Sequence, residues 1–198
     1  MSGVASFEHS SFVADLDHHA QFYATGRFSA RRAEMRHPPG CARGYTAREK
    51  MNIQAFLMDP AGKDWGKLLG YWRPPLPPDA TLWFVNLLGE AFLATSGGAI
   101  HWLNVGCGTV SEVAPTREAF ARLLDQREHA DTWLRITLVE SCRAAGIVLG
   151  ADECFGFKIP PRLFGKYEAS NLQPTNIYSH YSWLSHMTRQ DEIYWTGD

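Results

Sequence analysis

The chain has 198 residues, 45% hydrophobic and 13% aromatic, with a formal net charge of −2. That composition supports one sizeable core, or one core with a smaller lobe, and excludes a chain kept unfolded by low hydrophobicity and high charge. The charge is uneven: residues 1–75 hold ten Lys/Arg against seven Asp/Glu, and residues 76–198 hold nine against fourteen, giving +3 and −5.

Residues 1–22 alternate apolar and polar positions and carry Glu8, His9, Asp15 and Asp17. A secretory signal needs a basic start and an unbroken apolar run, so none is expected there. Phe12, Leu16, Ala20 and Tyr23 share one helical stripe over 11–23, which Ser10 or Ser11 can cap and Gly26 ends. A second, more basic helix is predicted over Arg27 to Arg36, halted by Pro38, Pro39 and Gly40. A third is predicted over 48–58 on Met51, Ala55 and Met58. A fourth spans 64–72 on Trp65, Leu68, Leu69 and Trp72, weakened by Gly66 and Gly70. Pro74-Pro75-Leu76-Pro77-Pro78 cannot continue a helix and reads as a stiff connector over 74–78. It divides a helical region, 1–73, from an α+β domain, 79–198.

After the connector the period becomes strand-like. Leu82 to Val85, Glu90 to Ala94 and Ile100 to Asn104 read as three short strands, and Thr109 to Val113 as a fourth. Ser96-Gly97-Gly98 and Gly106-Cys107-Gly108 are the turns, because glycine adopts positive φ cheaply. Thr116 can cap a helix with Phe120, Leu123 and Leu124 on its apolar face. A longer helix is expected from Asp131 to Ala145, burying Trp133, Leu134, Leu138 and Cys142, with Gly146 as its stop. Cys154 to Ile159 reads as a strand ending at Pro160-Pro161. Ile177-Tyr178 closes another extended stretch before a last helix, Ser179 to Gln190. The fold class expected is α+β, an antiparallel β-meander packed against helices with a helical N-terminal region. No stretch is apolar enough to span a bilayer; Trp133 to Leu149 is interrupted by Arg135, Glu140 and Arg143.

Local spacing for catalysis is missing. His18 and His19 are adjacent, so on a helix they point about 100° apart, and His180 and His186, six apart, diverge too. Neither pair makes a zinc motif. Cys41, Cys107, Cys142 and Cys154 contain no CxxC pair and read as reduced thiols. Cys107, in its glycine turn with His101 on the preceding strand, could be a nucleophile, but no activating base is visible in the sequence and a plain hairpin turn explains it. GxSxG, Walker and dinucleotide fingerprints are all absent. Asp152-Glu153 could be an acid/base pair, or simply a solvated loop. Arg27, Arg31, Arg32, Arg36 and Arg43 could touch phosphates, yet Glu34 interrupts them and a solvated helix face explains them as well. No catalytic residue, metal or cofactor is expected. The alternatives carried are a small enzyme using Cys107 or a histidine cluster, and a nucleic-acid or regulatory binding module using the arginine series.

A binding surface is the better fit. Tyr167, Tyr178, Tyr181, Trp183, Tyr194 and Trp195 crowd the last third, and Tyr and Trp supply large rigid contact area where they do not fill a core. An acidic second half suits a basic partner, since opposite fields speed association and suppress wrong partners. The candidate partner-binding residues are Asp152, Glu153, Tyr167, Glu168, Tyr178 and Tyr181.

Several stretches carry a resemblance. They are Trp65 to Trp72 (WGKLLGYW), Leu76-Pro77-Pro78-Asp79 with Leu82 to Phe92 (LWFVNLLGEAF), Ile100 to Thr109 (IHWLNVGCGT) and Asp131-Thr132-Trp133-Leu134. The most specific is Ala144 to Gly150 (AAGIVLG) leading to Glu153 to Tyr167 (ECFGFKIPPRLFGKY), continued by Asn171, Ile177 and His180. In this order they resemble the C-terminal domain family of type VI secretion immunity proteins, which guard bacteria against DNase effectors. The resemblance implies an α+β domain without catalytic residues. Such a domain binds a cognate toxin, a nuclease, in the cytoplasm and keeps it from its substrate, touching neither nucleic acid nor membrane itself. Where the family generally shows a glycine pair, this chain has Phe164-Gly165, so the turn there differs or carries a partner-specific side chain. Residues 1–60 resemble nothing in that family.

Overall fold

The computed structural model describes residues 52–72 and 76–193, with side chains through Met187. The helices expected over 11–23 and 27–36, the stretch 48–51, Cys41 and the arginine series lie outside the described residues.

Four strands form the sheet: β1 Thr81–Val85, β2 Ala91–Ala94, β3 Ile100–Asn104 and β4 Thr109–Ala114. They pair antiparallel in sequence order, the expected meander. Leu82 lies opposite Leu93, and Val85 opposite Ala91; Leu93 in turn meets His101, and Ala91 meets Leu103. Successive side chains of a strand point to opposite faces. β2 is buried at every position because both faces are covered, which explains its unbroken apolar run.

On one face Leu82, Val85, Ala91, Leu93 and Leu103 pack with Met58, Leu68, Leu69, Trp72, Ile177, Tyr181 and Leu184. These come from helix α1, Trp65–Gly70, and from the last helix, α5, Ile177–Ile193, together with the residues flanking α1. Described residues on both sides of the proline run therefore share one core, within the compact unit Asn52–Asp198. On the other face lies an aromatic layer. Phe84 stacks on Phe92 with ring centres 4.4 Å apart, and Phe120 stacks on Trp133 at 4.6 Å. Phe120 belongs to α2, Arg117–Leu124, and Trp133 to α3, Arg127–Leu134. Burying each side chain of this size contributes roughly 1.5–3 kcal/mol.

Thr116 caps α2 as expected, its hydroxyl accepting from the Ala119 N–H at 3.1 Å. β5, Glu153–Phe157, and β6, Leu172–Asn176, form a second antiparallel pair. The Phe155 N–H donates to the Leu87 carbonyl, which ties this pair to the β1–β2 turn.

Three expectations about secondary structure need correction. Residues 53–56 form one 3-10 turn rather than the middle of an α-helix, and Leu57 then bridges Asn86. The Met58 N–H donates to the Val85 carbonyl and the Leu87 N–H to the Phe56 carbonyl, so strand-like pairing with the sheet outweighs a weak amphipathic pattern. The helix expected from 131 to 145 is two helices, α3 and α4, Ile136–Ala144, broken at Arg135. The last helix starts at Ile177, two residues early, because the Asn176 side chain accepts from the Tyr178 N–H and substitutes for a serine cap.

Candidate functional site

The site grows from a buried carboxylate. Glu90 is fully buried immediately before β2. Asn86 shapes the turn before it: its side-chain oxygen accepts from the Leu88 and Glu90 N–H groups, and its amide donates to a Glu90 carboxylate oxygen at 2.8 Å and to the Trp133 carbonyl at 2.8 Å. Arg135 completes the shell, donating Nε to Oε2 at 3.2 Å and Nη2 to Oε1 at 2.9 Å. Burial raises the Glu90 pKa above the ordinary carboxylate value, while the Arg135 charge and these hydrogen bonds pull it back. Burial also opposes the Arg135 charge, but Glu90 more than offsets it and holds the guanidinium protonated.

Arg135 has φ 55 and ψ 38, a left-handed conformation. For a side chain larger than glycine this costs on the order of 1–2 kcal/mol. Two features compensate. The forked ion pair with Glu90 is one; the other is Asp131, whose carboxylate accepts from the Thr137 N–H at 2.7 Å and satisfies an orphan donor at the start of α4. The α3–α4 break is therefore set by a residue of the β1–β2 turn forty-five positions earlier in the chain.

Tyr167 covers the guanidinium, its ring 4.3 Å from the Arg135 Cζ, and Trp102 lies 5.5 Å from the same atom. The Tyr167 hydroxyl is within 3.3 Å of the Asn104 side chain and 3.6 Å of the Cys107 thiol. Burial first, and Glu90 second, push the tyrosine pKa up, so it stays protonated at neutral pH. Tyr167 thus offers Cys107 no base. Asp131, Thr132, Arg135, Thr137, Leu138, Ser141, Tyr167, Glu168 and Ala169 line an open cleft of about 440 Å³.

The loop leading into Tyr167 is tightly built. The Asn171 side chain accepts from the Ile159 N–H and donates to the Ile159 and Lys166 carbonyls, all within 3.0 Å, so it clamps both ends. Pro161–Leu163 form a 3-10 turn, and the Gly165 N–H returns to the Pro160 carbonyl. A Cβ on Gly165 would collide with the Ile159 carbonyl oxygen, so this close return requires glycine. Between them Phe164 sits at φ 64, again left-handed, and is 96% exposed.

Residues 114–188 match the family described as T6SS immunity protein Tdi1, C-terminal. The matched segment contains Asp131, Arg135, the 159–165 loop, Tyr167 and Asn171, whereas Glu90, Asn104 and Cys107 come from the sheet and its turns before it. No curated protein matches the chain.

The six partner-binding candidates fall in three places. Tyr167 and Glu168 line the cleft. Asp152, Glu153 and Tyr178 lie at the other end of the β5–β6 pair. There the Lys63 ammonium is 3.2 Å from the Asp152 carboxylate, Glu153 accepts from the Gly150 N–H, and the Tyr178 hydroxyl accepts from the Asp64 N–H. Tyr181 does not face outward at all. It is fully buried, its ring edge-on to Trp65 and Trp72, and its hydroxyl donates to the Gly89 carbonyl at 2.7 Å. A tyrosine whose hydroxyl finds a partner inside is a core residue, and that correction removes Tyr181 from any contact surface.

Of the residues weighed for chemistry, His101 stands in the sheet opposite Leu93 and Glu112. His180 is buried and His186 exposed. Among the described residues no three His, Cys, Asp or Glu side chains converge as a metal site, and no helix is long and apolar enough to cross a membrane. Sequence reasoning missed Glu90 and Arg135 as a pair, since nothing local links them. It had a signal for Phe164, a bulky residue in place of a glycine.

Proposed function

We propose that this chain is an immunity protein that binds a cognate antibacterial toxin, a type VI secretion DNase effector, in the cytoplasm of the producing cell. It inhibits by occupying the toxin surface and transforms no substrate. The observation that carries this reading is the match of residues 114–188 to an immunity family. The charge of the second half supports the nuclease as target: residues 76–198 carry −5, and a nuclease is basic where it grips DNA. Opposite fields of this kind raise the rate of encounter. The cleft beside Tyr167 and the loop before it supply shape, and the Glu90–Arg135 pair holds the cleft wall in place.

The test is reconstitution with the toxin domain encoded beside this gene. The expected result is a one-to-one complex with a dissociation constant on the order of nanomolar and loss of DNase activity in proportion to bound protein. Cys107→Ala is expected to inhibit as well as the natural chain. No complex and undiminished nuclease activity would refute the proposal, and so would inhibition that vanishes with the Cys107 thiol.

A further inference from the structure

The loop over residues 158–168 stands apart from its surroundings in three ways. Within six residues it exposes Ile159 (53%), Leu163 (49%) and Phe164 (96%). A single exposed apolar side chain is ordinary, but a cluster on one rigid turn is not. Phe164 occupies a left-handed position that glycine would fill without strain, and its ring stands almost wholly in solvent. A strained, bulky, solvent-facing residue on a loop clamped by Asn171, Gly165 and two prolines contributes nothing to the core beneath it. Finally, the local charge is reversed. Lys158, Arg162 and Lys166 outnumber Glu168 in this stretch, a net +2 inside a half-chain of −5. The Lys166 ammonium is 3.7 Å from the Glu168 carboxylate and largely exposed.

We infer that this loop is the anchor of the toxin interface. Phe164 inserts into an apolar pocket on the toxin domain that is rimmed by carboxylates, and the exposed Lys166 meets that rim. This rests on the immunity reading and deepens it by naming the contact and the chemistry of its receptor. Rigid presentation matters because an anchor held in its bound conformation loses little freedom on binding. Aromatic anchors ringed by weaker contacts commonly dominate such interfaces. The basic rim selects an acidic patch of the toxin, so the anchor seats beside the DNA-gripping surface rather than on it, while the acidic remainder of the domain steers the approach.

The experiment uses the full chain and the toxin domain encoded beside it. Phe164→Gly suits the left-handed backbone, so the variant folds, and its melting temperature stays level or rises by about 2–4 °C. Its dissociation constant for the toxin domain is expected to rise at least roughly 30-fold. Lys166→Glu is expected to slow association, most at low salt. Unchanged affinity of Phe164→Gly, with the natural chain binding well, overturns the anchor and leaves the immunity reading standing. No binding by the natural chain overturns both. A Phe164→Gly melting temperature several degrees lower shows that the ring packs inward, and a natural-chain dimer that Phe164→Gly dissolves makes a second copy the occupant; each overturns the proposal.

Discussion

Lowering the pH from 7 to 5 should destabilise this protein through one residue, His180. The ring is fully buried near Gly89 and Gly156, 6.3 Å from the Phe157 ring and nearly parallel to it. Burial pushes its pKa down from 6.5 to about 4, against a smaller opposing pull from the Leu88 backbone. Above pH 6.5 the ring is neutral in both folded and unfolded chains, so it contributes no pH dependence. Below 6.5 the unfolded chain binds a proton that the folded chain refuses until the pH approaches 4, and stability falls throughout that window. Each pH unit crossed inside the window costs about 1.36 kcal/mol, so the full loss is roughly 3 kcal/mol, of which about 2 kcal/mol is already gone at pH 5. Urea denaturation of the natural chain and of His180→Leu at both pH values isolates this contribution, since every other titrating group cancels in the difference. The natural chain should lose about 2 kcal/mol more than the variant. Equal losses would mean that the ring takes up its proton inside the fold as readily as outside it, which a ring sealed from water does not do.

Arg135→Ala leaves the Glu90 carboxylate buried without its cation and should cost about 3–5 kcal/mol in chemical denaturation. Glu90→Gln combined with Arg135→Leu should be less destabilised than Arg135→Leu alone, and a double variant no better than the single would show that the pair is not coupled. Thiol labelling followed by peptide mass mapping should modify Cys107, which is half-buried, well before Cys142 and Cys154, which are buried and whose thiol pKa values are raised by burial. Labelling of Cys154 at the rate of Cys107 in the native protein would contradict its place in the core.

The meander was legible because its signals are local. Ser96-Gly97-Gly98 and Gly106-Cys107-Gly108 mark turns, the runs between them are of strand length, and Thr116 and Gly146 punctuate the helices. The break at Arg135 was not legible. Asp131 to Ala145 contains no Gly or Pro to mark a break, and what interrupts it is Glu90, a carboxylate that requires a cation at a distance no local pattern encodes. The stretch at 53–58 misled for a related reason: its apolar spacing suits a helix, but the edge of β1 captures its backbone groups. Tyr181 read as an interface residue because tyrosine serves surfaces and interiors alike, and only the Gly89 carbonyl decides between them. Tyr167 and Glu168 were named from residue type alone, whereas the cleft they line comes from the packing of α3 and α4 and has no local signature.

The Asn171 clamp has a consequence for how such a chain diversifies. One amide side chain secures Ile159 and Lys166, a glycine closes the return, and the Arg162 N–H ties the turn to the Gly106 carbonyl, so the fixing contacts lie at the base of the turn and leave its crown exposed. The side chain at 164 can be exchanged for others that tolerate the left-handed backbone without removing a contact from the core. A lineage facing a changing adversary could retool this tip one codon at a time, with folding left untouched.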